Sequence, residues 1–164
     1  MAINKEQAIM ALEQAAKTAE QNGKPVINRF DGEYRFLSNF YETPILYNGI
    51  TYRNTEAAFQ AQKCADRAQE FADLSAGEAK RLGRKVTLRP DWNDVRISIM
   101  HDIVRAKFDQ HKDLRDKLLA THDKKLIEGN YWNDCFWGVC MNRGENNLGK
   151  ILMLVRDELS HVSQ

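Results

Sequence analysis

Two short stretches of this chain gather residue types able to do bond-breaking chemistry. The first is Thr55-Glu56-Ala57-Ala58-Phe59-Gln60-Ala61-Gln62-Lys63. A helix turns by about 100° per residue, so Glu56, Phe59, Gln60 and Lys63 fall on one side. Ala57, Ala58, Ala61 and Cys64 fall on the other and permit close packing. One face thus offers an acid, a base, an amide and an aromatic ring. Pattern alone reads this as a solvated helix face with Phe59 turned partly inward. The second stretch is Asn130-Tyr131-Trp132-Asn133-Asp134-Cys135-Phe136-Trp137-Gly138. Its four aromatics surround one carboxylate with no clean period. Such rings are packed or line a pocket, and their faces suit stacking on a nucleobase. The alternative is a core-covering loop in which Asp134 caps a turn.

Other segments carry weaker signals. Arg143-Gly144-Glu145-Asn146-Asn147-Leu148-Gly149-Lys150 precedes a helix, where free amides can hold a phosphate. A capped turn explains it as well, and it is neither a P-loop nor a dinucleotide fingerprint. Arg81, Arg84, Lys85 and Arg89 form a basic cluster, read as a solvated face that could also hold an anionic substrate. Trp92 reads as a core or hinge tryptophan. His101, His111, His122 and His161 lack metal-ligand spacing, so no metal and no cofactor are expected. No G-x-S-x-G elbow occurs. Cys64 reads as a buried structural thiol.

The bulk properties bound these readings. The chain has 164 residues, enough for one domain with a real core. Its 24 basic and 23 acidic residues leave a net charge of +1, which gives no general pull toward nucleic acid or membranes. No apolar run approaches bilayer length. Cys64, Cys135 and Cys140 contain no CxxC pair, and a reducing cytoplasm is the expected home.

The elements that must position the two stretches follow from period and punctuation. Lys5 to Gln21 reads as a helix, with Ile9, Leu12, Ala16 and Met10 as its packing stripe and Asn22-Gly23-Lys24-Pro25 as its stop. This segment, 1–24, is taken as an extension of a main domain spanning 25–164. Val26 to Phe30 is a strand candidate. Asn48-Gly49 between Ile45-Leu46-Tyr47 and Ile50-Thr51-Tyr52 predicts a two-residue hairpin. Asn54 or Thr55 caps a helix to about Asp66. Ser75-Ala76-Gly77-Glu78 is a capping box opening a helix toward Gly83. Helices follow at about Asn93 to Gln110 with Val95, Ile99, Ile103 and Phe108 inward, at Asp113 to Ala120, and at Lys124 to Glu128. Asn130 to Asn146 is irregular. The last helix, Asn147 to Leu159, buries Leu148, Ile151, Leu152, Val155 and Leu159. The expected fold is α+β, predominantly helical, with a small β-hairpin.

Five segments in order, Phe36-Leu37-Ser38-Asn39-Phe40, Thr55-Glu56-x-x-Phe59-Gln60-Ala61-x-Lys63, Leu88-x-x-x-Trp92, Asp134-x-x-Trp137-Gly138 and Asn146-x-Leu148-Gly149, resemble the NADAR family, also called YbiA-like. The resemblance runs from about Phe30 to Leu159. It implies the YbiA-like α+β fold and binding of ribosyl-phosphate or ADP-ribose-like ligands. It implies N-glycosidase action, either on phosphoribosylamino-pyrimidine intermediates of riboflavin biosynthesis or as an ADP-ribosyl glycohydrolase on modified guanine. By motif position, Glu56, Asp134 and Lys63 are the expected catalytic residues. Asn39, Phe59, Gln60, Trp92, Trp137, Gly138 and Asn146 are the expected substrate-binding residues. The chain departs from the family at Val139 to Glu145, where many members carry a Gly- and Lys-rich run, so the substrate is the open point.

Cleaving a ribose C1–N bond builds positive charge on the sugar. A carboxylate beside C1 stabilises that charge, and attacking water needs a base. Glu56 is expected to do one or both, and Asp134 to orient the ribose or protonate the leaving base. Lys63 is expected to bind phosphate, tune a neighbour, or attack C1 as an amine. The expected partner is a small ribosyl-phosphate or ADP-ribosyl substrate, with ADP-ribosylated DNA a further possibility. The competing reading is a non-catalytic module that binds ADP-ribose or another NAD-derived ligand.

Overall fold

The computed structural model describes residues 2–162. Contacts divide the chain into two units, residues 2–38 with 117–162, and residues 39–116. Among the described residues, no helix is long and apolar enough to cross a membrane. The described residues are mainly helical with two two-stranded sheets, the α+β class expected from the sequence.

In the first unit, α1 spans Lys5–Gln21. Asn4 caps it by accepting a hydrogen bond from the Gln7 amide at 3.2 Å. Gly23, at φ 70°, ends it in the left-handed region that glycine adopts without strain. Ala8 and Leu12 are the buried positions, whereas Met10 is 66% exposed and does not join the stripe expected of it. Strand β1 is only Val26–Ile27 and stops short of Phe30.

Strand β4, Lys125–Leu126, pairs parallel with β1, Val26 opposite Lys125 and Ile27 opposite Leu126. This corrects the helix expected over Lys124 to Glu128. The helix-forming tendencies of Lys, Leu and Glu are worth tenths of a kcal/mol per residue, about 0.7 at most, and tertiary pairing overrides them. Here the Ile127 amide bonds the Ile27 carbonyl at 2.8 Å, Leu126 is fully buried, and Arg156 holds the preceding turn through the Lys124 carbonyl at 2.8 Å. The last helix (Asn147–Val162) buries all five residues its period picks out, Leu148, Ile151, Leu152, Val155 and Leu159.

In the second unit, β2 (Glu42–Tyr47) and β3 (Ile50–Asn54) form the expected antiparallel hairpin. Asn48 and Gly49 have φ of 49° and 82°, as a two-residue turn matching strand twist requires. Pairing is regular from Ile45 to Tyr52 and shifts between Glu42 and Ile45, the place where Pro44 can donate no ladder bond. Helix α2 is Thr55–Ala61, ending before the Asp66 expected, and a 3-10 helix Ala65–Phe71 follows. Helix α3 is Ala76–Gly83, opened by the complete Ser75–Glu78 capping box. Helix α4, Trp92–Gln110, buries Trp92, Met100, Ile103, Val104, Lys107 and Phe108, while Val95 and Ile99 are only half-buried. Helix α5, Lys112–Leu119, contains the boundary between the units.

Candidate active site

The chemistry-bearing face of α2 is buried, not solvated. All seven residues of α2 are buried, and Glu56 is only 8% exposed. Both sides of this short helix are covered inside the second unit, so the acid and the amide sit among packed residues. Position is fixed from three directions. The Asn54 side chain accepts from the Ala57 amide at 2.8 Å and donates to the Leu74 carbonyl at 3.2 Å. The Asn39 carbonyl accepts from the Glu56 amide at 3.1 Å, and Asn39 is itself buried with its amide nitrogen 3.5 Å from Met100 Sδ. Gln60 Nε2 donates to Glu56 Oε1 at 2.8 Å.

Lys63 closes this face. Its amide bonds the Gln60 carbonyl at 3.1 Å, and its Nζ lies 5.9 Å from the centre of the Trp92 ring. Trp92 is buried and tilts 49° against Phe59 with centroids 5.0 Å apart. Burial pushes the Lys63 amine below its ordinary value. Glu56 opposes this, and the nearby cations Arg84 and Lys80 add to it. Of the basic cluster read from the sequence, Arg84 therefore acts on Lys63, whereas Arg89 is paired with Asp91 at 2.6 and 3.0 Å. Lys80 and Gly83 escaped the sequence reading. Gly83 looked only like a helix stop, and nothing local shows which side chain it meets.

The remaining expected residues belong to the first unit, in the loop over 127–146. Asp134 Oδ1 accepts from the amides of Phe136 at 3.1 Å and Trp137 at 2.9 Å, so it closes the turn carrying that aromatic pair. Among the described residues, Oδ2 accepts no hydrogen bond. The two rings meet edge to face at 4.8 Å. Asn130, 1% exposed, clamps the same turn and was not singled out by its sequence. Its side chain accepts from the Asp134 amide at 3.1 Å and donates to the Asp134 carbonyl at 2.9 Å. Gly138 is buried with Glu128 packed against its Cα, leaving no room for a side chain. Asn146, at φ 55°, accepts from the Glu128 amide at 3.0 Å and donates to the Leu126 carbonyl at 3.0 Å. Its amide is engaged within the loop.

The first two amides of the last helix are not free for a phosphate. Asn147 bonds the Phe136 carbonyl at 3.2 Å and Leu148 the Trp137 carbonyl at 3.0 Å, which is the capped-turn alternative. Cys64 is half-buried rather than buried. Among the described residues, no three His, Cys, Asp or Glu side chains gather as a metal site needs.

With this geometry in view, the chain belongs to the NADAR domain family, whose model matches residues 27–160. It is 40% identical over 134 residues to N-glycosidase YbiA of Shigella flexneri serotype 5b (strain 8401), covering 78% of this chain and 83% of that protein. It is 42% identical over 135 residues to Riboflavin biosynthesis protein VVA0006 of Vibrio vulnificus (strain YJ016), covering 79% of this chain but only 36% of that longer protein. The NMR structure of the E. coli protein YbiA superposes with a TM-score of 0.75 at 37% identity, covering 84% of this chain and 87% of that one.

Proposed function

We propose that this protein is an N-glycosidase that hydrolyses the bond between ribose C1 and a nitrogen, with Glu56 as its acid-base group. The observation that carries the reading is the buried Glu56 carboxylate, held by Gln60 at 2.8 Å and near enough to Lys63 to act on its charge, with the Lys63 amine set over the Trp92 ring. Relatives named N-glycosidase and riboflavin biosynthesis protein support the reaction class and favour a phosphoribosylamino-pyrimidine as substrate.

The chemistry follows from the surroundings. As the C1–N bond breaks, its electron pair leaves with the base nitrogen, which takes up a proton. Positive charge grows on the ribose, and a carboxylate shielded from water stabilises it more strongly than one in bulk solvent. Lys63 is an amine whose charge is disfavoured by burial and by neighbouring cations, a setting that leaves a nucleophilic lone pair. Its lone pair bonds C1 as the base departs; of its two protons, one passes to the base nitrogen and the other to the ring oxygen as the sugar ring opens, leaving a C1=N imine on Lys63. Water, deprotonated by Glu56, then displaces the amine, so one water is consumed and one ribose C1–OH is formed. Arg84 and Lys80 supply positive charge suited to the substrate's phosphate.

The test is Glu56→Gln, which keeps size and hydrogen bonding but removes the base. Release of ribose 5-phosphate from a phosphoribosylamino-pyrimidine should fall on the order of 10²- to 10⁴-fold with folding intact. Full activity in the variant would overturn the assignment. Assays in parallel on ADP-ribosylated guanine separate the two substrates, and binding of ADP-ribose with no base release from either identifies a non-catalytic module.

A further inference from the structure

We infer that Gly83 is a positioning residue for Glu56: its missing side chain is what lets Gln60 hold the carboxylate. This rests on the reading of Glu56 as the acid-base group. Gln60 is 6% exposed and donates to Glu56 through Nε2 at 2.8 Å. Its other end, Oε1, is buried with no hydrogen-bond partner. A side chain added at Gly83 would overlap Oε1, and its first carbon would stand 2.8 Å from Gln60 Cδ and 3.4 Å from Gln60 Cβ. The amide therefore lies flat against the Cα of Gly83.

Three points make this a device rather than an accident of packing. First, Gly83 is absent from the residues with positive φ, so its backbone could be adopted by alanine, and space alone calls for glycine. Second, the hydrogen standing in place of a side chain points at Oε1, a weak C–H···O contact that partly offsets the missing partner. Third, the orientation of the amide is not free. Turning it over would set Oε1 against the Glu56 carboxylate, oxygen to oxygen, at hydrogen-bonding distance. Helix α3 is pinned at its start by the Ser75–Glu78 box, so Gly83 at its end resists moving aside. Added bulk at 83 must then displace Gln60, and Glu56 loses that donor.

The experiment compares Gly83→Ala, Gln60→Ala, the double variant and Glu56→Gln, with Gly77→Ala as control. Gly77 lies in the same helix with only Arg81 Nη1 near, at 3.9 Å, and should keep wild-type activity. With a phosphoribosylamino-pyrimidine as probe, Gly83→Ala should lower kcat on the order of 10²-fold, the scale of a misplaced catalytic group, with KM little changed. The double variant should be no slower than Gln60→Ala alone, because both changes remove one interaction. Wild-type kcat in either single variant overturns the inference, as do losses that multiply in the double variant. If Glu56→Gln is inactive while the other variants are normal, only the inference fails. If Glu56→Gln is fully active, the underlying reading fails.

Discussion

The amine of Lys63 lies 5.9 Å from the centre of the Trp92 ring and within the electrostatic reach of Glu56. The ring attracts a cation, yet burial and the cations Arg84 and Lys80 disfavour the charge, and the net shift is downward. A lysine here carries an available lone pair more often than one in solvent.

Lys63 should therefore show in the pH profile. Its proton is lost at a pH below the ordinary value of 10.5, and a nucleophilic role makes kcat/KM rise as pH climbs through that titration. Lys63→Arg, whose guanidinium stays charged, should abolish turnover, and borohydride should trap a sugar adduct on the wild type alone. A fall in kcat/KM over the same interval, with no trapped adduct, would assign Lys63 to phosphate binding instead.

Asp134 offers a way to separate shape from charge. Asparagine can accept the same two amide bonds from Phe136 and Trp137, so Asp134→Asn should change stability by less than about 0.5 kcal/mol. Asp134→Ala leaves those amides without their partner and should cost about 1–3 kcal/mol. Urea unfolding of the two variants checks the difference. Equal stability would remove Asp134 from the role of turn clamp.

Lys107 predicts a pH-dependent stability. It is 1% exposed, between the rings of Tyr41 and Phe108, and burial pushes its pKa down to about 7 from 10.5. Between those values the unfolded chain holds a proton that the folded one has released. The contribution of this group therefore rises with pH, by about 1.4 kcal/mol per pH unit, and is least favourable below the folded value. Lys107→Met should flatten the urea midpoint against pH across that interval. A variant that tracks the wild type throughout contradicts the shift.

The capping box has a simpler expectation. Ser75→Ala removes the side chain that accepts from the Glu78 amide at 3.3 Å and should cost about 1 kcal/mol in urea unfolding. A cost indistinguishable from zero would mean that the Ser75 hydroxyl contributes nothing to holding the start of α3.

Signals carried by neighbours in sequence read correctly. Asn48-Gly49 can take positive φ, Ser75 and Glu78 are in reach of each other's backbone, and the period of the last helix selects its core face. What depends on distant partners did not. Lys125 and Leu126 take their strand form from Val26 and Ile27, about a hundred residues away, and helix propensity misleads there. The face of α2 reads as solvated because a short helix covered on every side leaves no amphipathic contrast. Glu56, Gln60 and Lys63 were legible as a constellation, and the order of motifs gave them a chemistry. Gly83 was not, since its meaning lies in the side chain it faces. Asn130 was hidden likewise, because an asparagine that clamps a turn looks the same as one that wets a surface.

The pairing of β1 with β4 also governs when the protein can form during its synthesis. Val26 and Ile27 leave the ribosome early but have nothing to pair with until Lys125 and Leu126 follow. Residues 39–116, by contrast, form one continuous stretch of the chain. A chain interrupted ahead of Lys125 therefore leaves Val26 and Ile27 without their ladder partners, an open edge available to the wrong neighbour.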